Sequence, residues 1–85
     1  MKKGFLLVLD EFYETMFAST VNFNQTEFFL DEKNLYAFCL ELVAGNEDDV
    51  KEFNESWCNR RNSEIDNLYF SVPDMFTVYI IDIKG

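Results

Sequence analysis

The sequence predicts an α+β fold in two layers, an antiparallel sheet of about four strands with two helices, in the order ββααββ. Three observations predict it: β-rich segments near both ends of the chain, two central segments with helical spacing of apolar residues, and one proline, Pro73, between two strand-forming runs. Two helices between pairs of strands pack most simply on one face of such a sheet. The 85 residues suit a single acidic domain with one core.

The first two strands are predicted with different strength. Residues 4–9 form a short apolar run bounded by charged pairs, which is typical of a buried strand. A second strand is predicted at residues 16–23, where β-branched and aromatic residues alternate with asparagine. An alternative stays open, because apolar residues in the segment 5–17 also fit a helix, and the sequence leaves open whether residues 10–19 are strand or helix.

The first helix is predicted at residues 32–44. Its apolar residues recur at helical spacing on one face: Leu35, Phe38, Cys39, Leu42 and Val43. Asp31 can cap the N-terminus, since its side chain can accept a hydrogen bond from the first turn. Gly45 can supply the left-handed backbone conformation in which many helices end.

The second helix is predicted to begin after Asn46, which can cap it. Its first turn carries three acids that the positive end of the helix dipole favours: Glu47, Asp48 and Asp49. Its buried stripe is expected to consist of Val50, Phe53 and Trp57. Arg60 and Arg61 are predicted in the last turn, where cations are favoured.

A hairpin is predicted at the end of the chain. Residues 67–72 and 75–83 are rich in tyrosine, phenylalanine, valine and isoleucine. Pro73 and Asp74 lie between them, and proline suits the second position of a tight turn. The two runs are therefore expected to pair as antiparallel strands.

Negative charge is concentrated in one part of this chain. The net charge is −9, and the stretch from Asp10 to Trp57 contains twelve acidic residues and two lysines, a local charge of −10. Such a field repels phosphate backbones and acidic membranes and favours basic protein surfaces. We therefore expect a protein partner with a basic surface, no direct contact with nucleic acid and no membrane partner.

The residue types exclude several reactions. The chain has no histidine, so it has no imidazole base and no histidine metal ligand. The two cysteines lack C-x-x-C spacing, and the three glycines form no phosphate-binding loop. Paired carboxylates are the remaining catalytic option, and they are also common on ordinary acidic surfaces. We expect no enzyme activity, no cofactor and no metal site.

Cys39 and Cys58 both fall within helical patterns. We interpret them as a buried, reduced pair in a cytoplasmic protein, which would be the host cytoplasm if the chain is encoded by a phage. A disulfide between the two helices stays open as an alternative, if the two Cα atoms approach within about 7 Å. No apolar run approaches the length of a membrane span.

The second helix carries the candidate partner-binding residues. Asp48, Glu52 and Glu55 fall on the side opposite the predicted buried stripe, and Glu47 and Asp49 extend the acidic surface. A row of fixed anions at intervals of several ångströms can occupy a channel built for phosphates. The alternative is an ordinary solvated helix face.

Apolar residues give a second candidate surface. Tyr36 and Leu40 flank the buried stripe of the first helix, and Leu40 is expected to be the more exposed of the two. The chain also has more aromatic residues than a small core needs, with ten phenylalanines, four tyrosines and one tryptophan. A surplus of this kind often marks an interface.

These observations favour a small acidic interaction protein. The preferred hypothesis is a phage-type inhibitor that mimics nucleic acid and occupies the basic surface of a host defence or nucleic-acid-processing protein. Small acidic proteins that block restriction, CRISPR or repair machinery provide the analogy of class. One alternative is a noncatalytic structural or regulatory subunit that forms a homodimer through an aromatic patch. Another is a nucleotide-binding module that uses Arg60 and Arg61.

Overall fold

The computed structural model describes residues 2–13, 25–61 and 67–83, including their side chains except that of Lys2. Four strands and two helices follow one another in these ranges: β1 (Lys2–Leu9), β2 (Thr26–Phe29), α1 (Glu32–Val43), α2 (Glu47–Cys58), β3 (Leu68–Val72) and β4 (Phe76–Ile83). The predicted α+β fold and its ββααββ order are confirmed.

The four strands form one antiparallel sheet in the order β2-β1-β4-β3. The first and last strands of the chain are therefore the two central ones, and they pair along their whole length, with Leu7 opposite Val78. A shift of register between Leu68 and Phe70 interrupts the pairing of β3 with β4. This bulge lets Tyr69 and Phe70 both turn towards the core, where both are buried.

The strand predicted at residues 16–23 lies outside the described residues. In the described part of the chain, the strand that follows β1 is Thr26–Phe29, which pairs with β1 and places Phe29 opposite Phe5. Residues 5–9 belong to β1, so the helical alternative is wrong for them. Pairing with β2 on one side and β4 on the other favours the extended backbone there.

The predicted helix boundaries are confirmed at three of four ends. The Asp31 carboxylate accepts a hydrogen bond of 2.7 Å from the amide of Lys33 at the start of α1. Gly45 has a φ of 94°, the left-handed conformation expected after this helix. The Asn46 side chain accepts hydrogen bonds from the amides of Asp48 and Asp49 at the start of α2.

The prediction for the end of α2 is wrong. The helix ends at Cys58, and Arg60 and Arg61 follow it instead of forming its last turn. Arg61 has a φ of 70°, and its amide donates a 2.7 Å hydrogen bond to the Tyr69 carbonyl on the edge of β3. This bond draws the chain away from the helix axis and towards the sheet.

The predicted hairpin is confirmed. The amide of Met75 donates to the carbonyl of Val72 across the turn, at 3.1 Å. Asp74 has a φ of 65°, as the third residue of a type II turn requires, and Pro73 occupies the second position. β3 and β4 run antiparallel from this turn.

The core lies between the two helices and one face of the sheet. The sheet contributes Leu7 and Val78, α1 contributes Leu35, and α2 contributes Phe53, and all four are fully buried. Of the stripe predicted for α2, only Phe53 is completely enclosed, because Val50 and Trp57 lie at the edge of the core.

The two cysteines have different environments. Cys39 is completely buried in α1, and burial raises the pKa of its thiol. Cys58 is exposed at the last position of α2, so the prediction of a buried pair is wrong for this residue. Both thiols are free, and there is no disulfide between the two helices.

Candidate partner-binding surface

A cluster of aromatic rings fixes the rotation of α2. The Phe53 ring is fully buried and lies 5.6 Å from Tyr36, 5.9 Å from Trp57 and 6.1 Å from Phe70, measured between centroids. Ring pairs at such distances add to the stability gained by burying apolar area. Because Phe53 points into the core, the opposite side of α2 faces away from the sheet.

Three carboxylates lie on that opposite side and form what we call the acid face: Asp48, Glu52 and Glu55. All three residues are exposed. The ideal helical rise separates their backbone positions by about 6 Å and then about 4.5 Å along the axis. Within residues 2–13, 25–61 and 67–83, the ion pairs use Asp82 and Glu32, and none uses the acid face.

The other two acidic candidates on α2 differ from each other. Glu47 is exposed at the start of the helix. Asp49 is half-buried, and its carboxylate accepts a hydrogen bond of 3.0 Å from the Tyr13 hydroxyl. Burial, together with this contact to a carboxylate, raises the pKa of Tyr13. Asp49 therefore joins α2 to the segment after β1 and is less free to bind a partner than Glu47.

The two apolar candidates on α1 also differ. The Tyr36 ring lies 4.8 Å from the Trp57 ring and is half-buried, so it belongs to the contact between the helices. Leu40 keeps 36% of its surface exposed, as the sequence predicted. The structure therefore places one of these two residues in the packing and the other at the surface.

A second charged group, not predicted from the sequence, joins α1, the end of α2 and β3. The Tyr69 hydroxyl donates a 2.6 Å hydrogen bond to Glu32 Oε2. The Arg60 guanidinium lies 3.3 Å from Glu32 Oε1, and Arg60 Nε donates to the Tyr69 hydroxyl at 3.0 Å. Burial, and then the hydrogen bond to Glu32, raise the pKa of Tyr69.

Both arginines after α2 contact other elements of the fold, and Arg61 keeps 65% of its side chain exposed. Arg61 reaches Glu32 Oε2 at 3.7 Å and lies over the Tyr69 ring, 5.2 Å from its centroid. Arg60 lies 4.5 Å from the centroid of the Trp57 ring and donates to the Trp57 carbonyl at 2.9 Å. The two cations thus complete contacts between elements and are partly neutralised by Glu32.

The described residues give no indication of a metal site or of a membrane-spanning helix. In the described part of the chain, no three acidic or cysteine side chains are placed to hold a metal ion. None of its helices is long and apolar enough to cross a membrane. Comparison with protein-family models, curated proteins and solved structures finds no match. The functional inference therefore rests on the geometry and charge of this chain.

Proposed function

We propose that this protein is a small acidic inhibitor that binds the basic, nucleic-acid-binding surface of a larger protein through its acid face. One observation carries the proposal: Asp48, Glu52 and Glu55 are all exposed on the outward side of a helix whose inner side is anchored in the core. The described cations leave these three carboxylates without ion pairs.

The geometry suits electrostatic recognition for a physical reason. The positions of the three carboxylates are set by one helix, so binding does not have to order the backbone that presents them. Their spacing of about 4.5 to 6 Å along the axis is of the same order as the separation of about 3.4 Å per phosphate along one DNA strand. A groove lined with lysine and arginine for phosphates can therefore pair with them.

The whole chain supports the same class of partner. A net charge of −9 attracts basic proteins and accelerates their encounter with this one, and it repels nucleic acid itself. Phage proteins that block restriction, CRISPR or repair machinery offer an analogy of class, in which a small acidic chain displaces nucleic acid. The proposal includes no catalytic activity, because the chain lacks histidine and any nucleophile motif.

The nucleotide-binding alternative receives less support from the geometry. It requires Arg60 and Arg61 to receive a phosphate, and both arginines already contact Glu32. A phosphate would have to displace that carboxylate or bind close to it, which costs electrostatic energy.

Two variants of equal net charge test the proposal. The acid-face variant carries Asp48→Asn, Glu52→Gln and Glu55→Gln. The matched control carries Glu11→Gln, Glu27→Gln and Glu41→Gln, three exposed acids outside α2. Each variant changes the net charge from −9 to −6, so a difference between them reports the position of the charges.

The wild-type protein and both variants are immobilised and used to capture proteins from a bacterial lysate treated with nuclease. We expect the wild type and the control to retain a basic nucleic-acid-binding protein that added duplex DNA releases, and the acid-face variant to lose it. Equal retention by all three, or a captured protein that DNA does not release, contradicts the proposal.

A further inference from the structure

The sheet has a second face, turned away from the helices, which we call the outer sheet face. Strand residues alternate between the two faces of a sheet. The described residues on this face are Gly4, Leu6 and Val8 of β1, Thr26 and Phe28 of β2, Leu68 and Ser71 of β3, and Thr77, Tyr79, Ile81 and Ile83 of β4. Phe28, Tyr79 and Ile81 on this face keep 43%, 39% and 36% of their surfaces exposed.

Among residues 4–8, 26–28, 68–71 and 77–83, none on this face is charged, and none is acidic. The next position of the same strand alternation is Lys2, which pairs with Ile83 at the end of β1. The lack of acidic residues on this face is unusual in a chain with a net charge of −9. The acidic residues of these strands are Glu27 and Asp82, and their register places both on the other side of the sheet.

The hydroxyls of Ser71 and Thr77 lie 3.1 Å apart and share one hydrogen bond. Thr26 and Tyr79 add two further hydroxyls, so the face is largely apolar with a few neutral polar groups.

Gly4 shapes the middle of the outer sheet face. The Phe28 ring lies across Gly4, so closely that a methyl group there would come within 2.7 Å of Phe28 Cε2. The side chain of Ile83 flanks the same position at 3.1 Å. The missing side chain thus lets an aromatic ring lie over β1 and leaves a broad apolar surface.

We propose that the outer sheet face binds a second copy of this chain, giving a symmetric dimer in which two sheets pack face to face. A face without acidic residues can pack on itself under twofold symmetry without placing carboxylates opposite each other, whereas the helical layer carries many of the acidic residues of the chain. Two twisted sheets pack about 10 Å apart with their strands inclined by about 30°.

The size of the face sets the strength of this dimer. The two central strands have eight residues each and the outer two have four and five, so at about 3.3 Å per residue and about 4.8 Å between strands the face covers about 400 Å². Two such faces bury about 800 Å², less than the roughly 1,000 Å² of a stable specific interface and in the range of a weak, transient association. The dimer is therefore reversible, and it exchanges with monomer on dilution.

The dimer leaves the acid faces free. α2 lies on the opposite side of the sheet, and its acid face points away from the sheet. Each dimer thus presents two acid faces on opposite sides. The dimer does not depend on the proposed function, because it uses other residues and a different force.

The test uses two substitutions that match in chemistry and exposure. Ile81 on the outer sheet face and Leu40 on α1 are both 36% exposed aliphatic residues, and Ile81→Lys and Leu40→Lys each change the net charge from −9 to −8. Both variants reduce the overall repulsion between copies by the same amount. Loss of the dimer in Ile81→Lys alone would therefore show that the new charge is buried at the interface. Sedimentation velocity is measured from about 1 to about 300 μM, which spans a weak interface of this size.

We expect wild type and Leu40→Lys to shift from monomer to dimer across this range and Ile81→Lys to dimerise at least about tenfold more weakly. Circular dichroism shows whether Ile81→Lys is folded, and Tyr79→Ser provides a neutral second substitution on the same face if it is not. A wild-type protein that stays monomeric at the highest concentration overturns the proposal. So does a dimer that Leu40→Lys weakens and the outer-face variants leave intact.

Discussion

The Tyr69 hydroxyl donates a hydrogen bond of 2.6 Å to Glu32 Oε2 and thereby ties β3 to the first turn of α1. Tyr69 is fully buried as a residue, and its hydroxyl reaches the edge of the core where Glu32 and Arg60 meet. One buried ring thus places a carboxylate beside an arginine from another element. The contact spans 37 positions of the sequence.

Loss of this hydroxyl is expected to destabilise the fold. Tyr69→Phe removes a hydrogen bond to a charged acceptor, and because Glu32 is partly exposed and can recover water, we expect a loss of about 1 to 2 kcal/mol in the free energy of unfolding. Urea denaturation measures it. Tyr79→Phe is the matched control, since the Tyr79 hydroxyl has no partner among the described residues, and an equal loss in both variants would refute the role assigned to Tyr69.

Phe53 is expected to be the most important ring in the core. Phe53→Ala leaves a cavity beneath the rings of Tyr36 and Trp57, so we expect a loss of about 3 to 5 kcal/mol, a large part of the stability of a small domain. Thermal unfolding followed by circular dichroism measures it. Phe12→Ala is the control, because Phe12 is 85% exposed. The unfolding midpoint of this variant should stay near that of wild type.

Stability is expected to fall at alkaline pH. Burial raises the pKa of the Cys39 thiol in the folded state, so the unfolded chain releases this proton first as the pH rises. The contribution of Cys39 is therefore fully present below the pKa of an unfolded cysteine, about 8.5, and is lost progressively above it. Urea midpoints measured between about pH 7 and pH 10 test this decline.

Two cysteine variants separate this effect from general repulsion between charges. In Cys39→Ala the absolute stability is lower, but the decline above about pH 8.5 should be shallower than in wild type. Cys58→Ala removes the exposed thiol and is the matched control for deleting a cysteine side chain. Identical slopes in all three proteins would assign the decline to other groups, including Tyr13 and Tyr69, whose pKa values are also raised.

The isolated protein is expected not to bind nucleic acid. With a net charge of −9 and with Arg60 and Arg61 contacting Glu32, it offers phosphates little attraction. A mobility-shift assay with duplex DNA and single-stranded RNA at low salt checks this. A shifted band that disappears in Arg60→Gln would instead favour the nucleotide-binding alternative.

Much of the fold could be predicted because its signals are local. Asp31, Gly45 and Asn46 determine helix ends through their own side chains or backbone, and Pro73 and Asp74 determine a turn in the same way. The pairing of β1 with both β2 and β4 depends on contacts between distant segments, and no residue of the short strand Thr26–Phe29 is fully buried. The spacing of apolar residues therefore gave little indication of that strand.

The candidate site was predictable in part for the same reason. Helical spacing places Asp48, Glu52 and Glu55 together, and their exposure follows from the burial of Phe53. The contact of Arg60 with Glu32 has no sequence signal, because it depends on how α1 and α2 pack. The sequence does contain a signal for the outer sheet face. Residues 4–9 are apolar at nearly every position, which is typical of a strand with apolar residues on both sides.

Salt is expected to affect the two proposed associations in opposite directions. Raising the salt concentration screens the repulsion between two chains of charge −9, so the dimer should become stronger. A complex between the acid face and a basic protein should become weaker, because the same screening reduces attraction. Sedimentation of the protein alone and titration with a captured partner, each at about 50 and about 300 mM salt, measure both effects.

The affinity of the acid-face variant for the captured partner tests the central proposal most directly. Fluorescence anisotropy at low salt compares wild type, the variant lacking the charges of Asp48, Glu52 and Glu55, and the control lacking those of Glu11, Glu27 and Glu41. We expect the acid-face variant to bind at least about tenfold more weakly and the control to stay within about threefold of wild type. Equal affinity in all three, or an equal loss in both variants, would contradict recognition through the acid face.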